Sequence, residues 1–359
     1  MIAFSFNYFI LYGFFAFIAI LFALKVDVRQ KQANVLGLII SLFFVIALVV
    51  LFGSRGVNVG TDTYLYRYQF SFYKKLDFGT EILVTWLMAT IHLFTSNPQV
   101  YIFWLSLIFV VVLFLACANF SRLYNYNVLF VFFSFVSLYF FQSLGINIVR
   151  QGVALAFLFL GVGFYLKNPK NIVSWLLPVL VGIGFHVTSV FVLIIFILVE
   201  LFQKLKLKSY VIIYGIFVIL SFFKVSVLTF GNSIGKLFQG DRRDSYLNGD
   251  MLKEYNVGFK PQFVAFNTIF LIIFLLLRKY GQKQNNYDIL LKAYIGMSCV
   301  FFLMFQIPYS DRWGVMSWMF IPFLFAPVFG ESGKYRTSIA AILFLVCLFI
   351  IFQTMYYKP

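Results

Sequence analysis

The sequence predicts an all-α, polytopic integral membrane protein of about twelve transmembrane helices, and three observations carry that prediction. Of its 359 residues, 62% are hydrophobic and 11% are charged, whereas a soluble domain carries about 25% charged residues. Its 51 phenylalanines outnumber the 28 Lys and Arg and the 12 Asp and Glu combined. The mean hydropathy is +0.94. A chain with so little polar surface must use lipid as its main solvent, which excludes a water-soluble globule.

A spanning helix needs about 20 mostly apolar residues. In chain order such runs fall at 3–24, 34–53, 98–118, 126–143, 146–166, 172–187, 188–203, 209–230, 261–280, 288–308, 316–330 and 338–356. The first has no basic n-region and is long for a cleaved leader, so it is expected to be a retained span. The segment Glu81–Thr95 is apolar but only about 15 residues long, which predicts an interfacial or re-entrant helix near 81–95. No internal repeat and no soluble segment is visible. Residues 1–359 are therefore expected to form a single transmembrane domain. Cys117, Cys299 and Cys347 all lie in apolar runs, a setting that suits small core residues rather than a disulfide framework or a metal site.

Alternating the spans sorts the loops by charge. One set holds Lys25, Arg29 and Lys31; Arg122; Lys167 and Lys170; Lys204, Lys206 and Lys208; Arg278, Lys279 and Lys283; and Lys334 and Arg336. Short basic loops are cytoplasmic by the positive-inside rule. Both termini are then expected outside, together with the long loops 54–97 and 231–260, which would form the active face. The same rule accounts for the net charge of +16 without a nucleic-acid partner, and no nucleic-acid-binding motif is present. The outer set holds Asp62, Asp77, Glu81, Asp241, Asp244, Asp250, Glu254 and Asp311, two thirds of all the acids. Ionisable groups at the membrane are costly and mark function, so polar chemistry converges on one face.

Five stretches could carry that chemistry. In Arg55-Gly-Val-Asn-Val-Gly60-Thr61-Asp62-Thr63-Tyr64-Leu-Tyr66, Asp62 sits between hydroxyls where it would take a proton from an attacking hydroxyl. Arg55 offers a planar fork for phosphate, and the tyrosines offer flat faces for sugars. The alternative is a capped loop with an aromatic belt. In Asn147-Ile-Val-Arg150-Gln151-Gly152, an arginine opens a helix, an unfavourable place unless an anion shares the site. The alternative is an arginine that snorkels to the headgroups. His186, in Phe185-His186-Val-Thr188-Ser189, reads as a proton relay, a hydroxyl ligand or a satisfied core residue; His92 reads mainly as the last. Asp311 and Arg312 follow Pro308 in a turn near the membrane surface, where Arg312 would meet a lipid phosphate, the alternative being a solvated turn; Lys224 is a further candidate phosphate contact. Arg242 and Arg243, in the mixed-charge loop 231–260, suit an acceptor-binding lid; the alternative is a loop whose charges serve only solvation. There is no P-loop, HExxH or Gly-x-Ser-x-Gly elbow, and no metal site is evident.

Taken together, Arg55…Gly60-Thr61-Asp62-Thr63…Tyr66, Arg150-Gln151-Gly152-Val153-Ala154 and Phe185-His186-Val187-Thr188-Ser189 resemble the EpsG family of Wzy-like bacterial polysaccharide polymerases. The resemblance implies a GT-C-like membrane glycosyltransferase in the bacterial cytoplasmic membrane that works at the outer face without metal or other cofactor. It implies transfer of a growing glycan from undecaprenyl pyrophosphate to the non-reducing end of a lipid-linked repeat, and it leaves room for a chain-length regulator. On that basis Arg55, Arg150 and Arg312 are expected to bind the pyrophosphate, with Asp62 as first and His186 as second choice of general base. Thr61, Thr63, Tyr64, Tyr66, Gln151, Asp311, Arg242 and Arg243 are expected to bind substrate. The competing expectations are a ligase that delivers the glycan to another acceptor and a transporter that flips lipid-linked sugars; a membrane-bound acyltransferase with His186 as its base is a third.

Overall fold

Asparagine caps mark the starts of several of the helices below, and long apolar runs lie between them. The structure is a computed structural model that describes residues 2–25, 31–75, 81–226, 257–280, 285–330 and 335–356. Arg242, Arg243 and residues 231–256 of the expected loop 231–260 lie outside the described residues. The chain forms two compact units, residues 1–189 with 325–359, and residues 190–324.

The first unit contains α1 (Ile2–Lys25), α2 (Lys31–Gly53), α3 (Thr63–Ser71), α4 (Ile82–His92), α5 (Pro98–Tyr124), α6 (Val128–Ser137), α7 (Tyr139–Ile146), α8 (Val149–Lys167) and α9 (Ile172–Phe185). The second contains α10 (Val190–Leu201), α11 (Leu207–Phe222), α12 (Pro261–Tyr280), α13 (Asn285–Leu303), α14 (Asp311–Trp318) and α15 (Ile321–Phe325), whose last residue is counted with the first unit. The chain then returns to the first unit through α16 (Pro327–Gly330) and α17 (Tyr335–Tyr356). Eight helical segments among the described residues are long and apolar enough to cross a membrane. The other expected spans also fall on helices, but α9, α10 and α11 are short, and the run 126–143 is broken. The expected interfacial segment appears as the 11-residue helix α4.

Local chemistry explains the boundaries. Asn97 caps α5 by accepting the Gln99 N–H at 2.9 Å, with Pro98 in the first turn, where a missing N–H costs nothing. Asn125 then ends α5 in the left-handed conformation, φ 58°. Two residues later Asn127 caps α6 through the Leu129 N–H at 3.0 Å. At Leu138 the chain becomes extended, and α6 and α7 meet at 81°. Backbone freed by such a break must be satisfied within the protein if it lies in lipid. Tyr8 on α1 donates to the Val136 carbonyl at 3.3 Å, and Tyr12 donates to the Ser137 hydroxyl at 3.1 Å.

Burial separates the helices by role. α8 and α13 are mostly enclosed, whereas α1, α2 and α12 expose large apolar side chains such as Phe6, Phe17, Phe43, Ile46, Ile269 and Ile272. An outward apolar face of that kind is what a bilayer solvates at no cost. Aromatic stacking ties the first unit together at its interior, with Tyr12 and Phe349 3.6 Å apart between α1 and α17, and Phe15 and Phe44 3.9 Å apart between α1 and α2.

The second unit is pinned by a buried polar cluster. Trp318 Nε1 on α14 donates to Asn267 Oδ1 on α12 at 2.6 Å. Asn267 Nδ2 donates in turn to Ser298 on α13 at 3.0 Å and to Ser317 on α14 at 3.3 Å. Tyr294 on α13 donates to the Asn267 carbonyl at 2.8 Å. One amide thereby joins three helices, and its loss strands a buried indole N–H at a cost of about 1–3 kcal/mol. Asn267→Ala is expected to lower the melting temperature of the detergent-purified protein, and the double variant with Trp318→Phe is expected to recover part of the loss; equal losses in both would show that the indole bond contributes little.

Candidate functional site

The site grows from the loop that leaves α2. Arg55 follows two residues after the helix ends and is only 2% exposed. Its Nη1 donates to the Phe52 carbonyl at 2.7 Å and to Ser106 on α5 at 3.2 Å, and its Nε donates to Thr63 Oγ1 at 2.9 Å. Thr63, the first residue of α3, donates onward to the Val59 carbonyl at 2.6 Å. The guanidinium therefore staples both ends of the 54–62 loop, leaving Nη2 buried without a hydrogen-bond partner. Burial pushes the Arg55 pKa down to about 10, with the nearby Arg67 adding to the effect and Tyr66 opposing it.

The far end of the loop is held by Asn147, between α7 and α8. Asn147 Oδ1 accepts the Thr61 N–H at 2.8 Å. Gly60 sits at φ +75°, and a Cβ there would lie 2.4 Å from the same Asn147 oxygen. Both the conformation and the approach require glycine. Asp62 precedes α3 and accepts from the Thr61 hydroxyl at 2.9 Å without capping the helix through its side chain. Thr61 and Tyr64 are exposed and Asp62 is half-buried.

Tyr66 turns inward from α3 and is 3% exposed. Its hydroxyl donates to the Asn147 carbonyl at 2.7 Å and accepts the Val149 N–H at 3.1 Å. It thus satisfies one of the orphan donors that open α8. Arg150, the second residue of that helix, lies with its guanidinium carbon 5.8 Å from the Tyr66 ring centroid. Gln151 beside it is buried at 3% exposure.

The anion expected beside Arg150 is a protein side chain rather than a headgroup. Glu81, which opens α4, accepts from Arg150 Nη1 on Oε2 at 2.6 Å. Its other oxygen, Oε1, is 2.5 Å from His186 Nδ1. The Glu81 side chain is 8% exposed, against 19% for Arg150 and 20% for His186. His186 itself ends α9 in an extended conformation, with its N–H on the Gly182 carbonyl at 3.1 Å and its own carbonyl accepting the Ser189 hydroxyl at 2.7 Å. Two glycines make the approach possible. A Cβ on Gly182 would lie 2.6 Å from the Ala154 carbonyl of α8, and one on Gly184 would lie 2.8 Å from Leu83 of α4.

The structure thus brings Glu81, Arg150, His186 and Tyr66 together, with Arg55, Thr61, Asp62 and Thr63 in the loop tied to them through Asn147. Glu81 is the residue that the sequence motifs missed. It counted only as one of the acids on the expected outer face, and its run of apolar neighbours hid its role. The expectation about His92 fits what is seen: its Nε2 is 2.9 Å from the Phe70 carbonyl, and its ring stacks between Phe70 and Tyr73.

The remaining expected residues belong to the second unit. Asp311 is exposed and opens α14, while the Arg312 guanidinium carbon stands 4.4 Å from the ring centroid of Tyr309, which has φ 57°. Lys224 is exposed, two residues past the end of α11, with φ 62° rather than within a span. The helix stops short of the expected 209–230 run because the chain turns left-handed there.

Residues 38–359 match the family model described as the EpsG family, whereas no curated protein and no solved structure matches the chain. That match takes in the loop at Arg55, the acid at Glu81 and both helix ends at Arg150 and His186, and it extends well beyond the motifs. Membership supports a role in polysaccharide polymerisation in general. The chain belongs to the EpsG family, a Wzy-like polymerase family of multi-pass membrane proteins.

Proposed function

We propose that the protein is a metal-independent glycosyltransferase that lengthens a polysaccharide at the outer face of the bacterial cytoplasmic membrane. The donor is a glycan on undecaprenyl pyrophosphate, and the acceptor is the non-reducing end of a second lipid-linked repeat. The observation that carries this reading is the buried Glu81 carboxylate shared by Arg150 and His186. It holds a cation and a proton acceptor side by side, which are the two groups that glycosyl transfer from a pyrophosphate needs.

The acceptor hydroxyl attacks the anomeric carbon of the donor, the bond to the pyrophosphate breaks, and the hydroxyl proton is lost. Negative charge grows on the leaving diphosphate, so a fixed guanidinium stabilises the transition state. Arg150 is assigned that task. Its place in the first turn of α8 adds the positive end of the helix dipole to the same anion. Of the two expected bases, the geometry favours His186. With Nδ1 bonded to Glu81, the neutral ring carries its proton there, which makes Nε2 the accepting nitrogen, and the carboxylate stabilises the imidazolium that forms. Glu81 is a positioning residue in this scheme. Arg55 is assigned to holding the 54–62 loop, since its Nε and Nη1 are already spent on the protein. Asp62, Thr61, Tyr64 and Gln151 are assigned to sugar contacts, and Arg312, Asp311, Arg242 and Arg243 to donor or acceptor binding on sequence grounds alone.

Reconstituted protein supplied with one defined undecaprenyl-pyrophosphate repeat is expected to make a ladder of products. A product that appears only when a second, unrelated acceptor is added would assign a ligase instead. In that assay Arg150→Gln and His186→Ala are each expected to cost about 10²–10³ in rate with the protein still present in the membrane; full-length polymer from either would overturn its role.

Glu81→Gln keeps the shape but loses the charge, so it is expected to slow the reaction and shift its pH profile. Glu81→Ala leaves Arg150 without its buried partner and is expected to cost about 3–5 kcal/mol of stability as well. A Gln variant with wild-type rate and pH profile would remove the positioning role.

The orientation has its own test. In a background without Cys117, Cys299 and Cys347, Ser245→Cys is expected to react with an impermeant thiol reagent from outside intact cells, and Lys206→Cys only after permeabilisation. The reverse pattern would invert the topology.

A further inference from the structure

A second charged site lies in the unit formed by residues 190–324 and has no part in the chemistry above. Where α10 ends and α11 begins, the chain lines a cleft of about 290 Å³ with Lys204, Lys206, Arg278, Asp288 and Lys292. Among the described residues, only one of these cations is paired with a carboxylate. Arg278 Nε and Nη2 donate to the two oxygens of Asp288 at 2.6 and 2.7 Å. That fork leaves Lys204, Lys206 and Lys292 without an ion pair among the described residues. Nearby on α10, Glu200 accepts from the Gln203 amide through Oε2, while its Oε1 is buried without a hydrogen-bond partner and bonds none of these lysines among the described residues.

Lys292 makes the cleft more than a patch of surface lysines. It lies inside the span α13 and is 8% exposed. Its ammonium donates to the Gln203 carbonyl at 3.0 Å and stands 5.3 Å from the Tyr210 ring centroid. Those contacts satisfy one of three N–H donors and supply no negative charge. A buried ammonium on a membrane helix is costly unless an anion shares its surroundings. The start of α11 asks for the same thing. Leu207 lines the cleft, and α11 has neither a capping side chain nor an acid in its first turn, so the positive end of a 16-residue helix is also uncompensated.

We propose that this cleft is an anion site that takes a single phosphate group, with Lys292 at its floor, Lys204 and Lys206 at its rim and the first N–H groups of α11 beside them. Phosphate is the group whose charge and several acceptor oxygens match an ammonium floor and a helix N-terminus together. It would come either from the headgroup of an anionic phospholipid or from a soluble phosphate compound. Basic pockets between membrane helices are known to hold such headgroups. The site is independent of the transfer reaction, and its failure would leave the Glu81 assignment untouched.

The test uses the full-length protein purified in detergent and compares its melting temperature with phosphatidylglycerol, phosphatidylcholine and inorganic phosphate. Phosphatidylglycerol or inorganic phosphate is expected to raise the midpoint and phosphatidylcholine to leave it unchanged. A response to the first alone assigns the headgroup, and a response to inorganic phosphate assigns the soluble source. Lys204→Gln with Lys206→Gln changes only exposed side chains and is expected to weaken the response at least tenfold in ligand concentration. Lys292→Met is expected to abolish it. No response to either phosphate source, or the same response in wild type and the exposed double variant, overturns the proposal.

Discussion

A carboxylate that is nearly sealed from solvent and shared between two basic side chains is the constraint from which the first unit can be understood. Glu81 cannot stand alone where it is, because an isolated charge at that depth is expensive, and neither can Arg150 at the positive end of a helix. Each is tolerable because of the other. The imidazole of His186 completes the group and ties α9 to α4 and α8. Removing any member therefore changes both the electrostatics and the packing, and this is why charge-only substitutions are more informative than truncations.

The loop from Arg55 to Asp62 is built to hold its shape against this group. A buried guanidinium closes the loop on the end of α2, and a glycine in a left-handed conformation lets the backbone reach Asn147. Tyr66 then caps α8 with its hydroxyl. The same tyrosine flanks Arg150, so the segment that opens the helix and the segment that carries the threonines and aspartate are one hydrogen-bonded assembly. Rigidity of that kind is what preorganised transition-state stabilisation requires. The second unit solves a different problem with the same means: the Asn267 amide and Trp318 indole hold three helices where apolar packing alone gives no direction.

How much of this was legible beforehand differs from residue to residue. Apolar runs located the helices, because hydropathy is a property of neighbours in sequence, whereas the cap that Asn97 and Pro98 give α5 came from the structure. The run 126–143 read as one straight span because the extended Leu138 carries no Pro or Gly signal; the break is supported by hydroxyls from α1. The expected spans 172–187 and 188–203 fall on α9 and α10 within about two residues, whereas 209–230 overran α11, and Lys224 was placed inside a helix that ends before it. The end of α11 is set by a left-handed backbone turn at Lys224 that the hydropathy profile does not register.

The sequence by itself determined that this protein lives in lipid, that helices carry it, and that an arginine stands at the head of α8, where a negative partner is favourable. Which partner was decided only in three dimensions. Glu81 lies 69 residues from Arg150 and 105 from His186 along the chain. Composition and capping act over one or two turns of backbone, whereas a Coulombic pair depends on distance through space, and that distance exists only after α4, α8 and α9 have packed through their glycines.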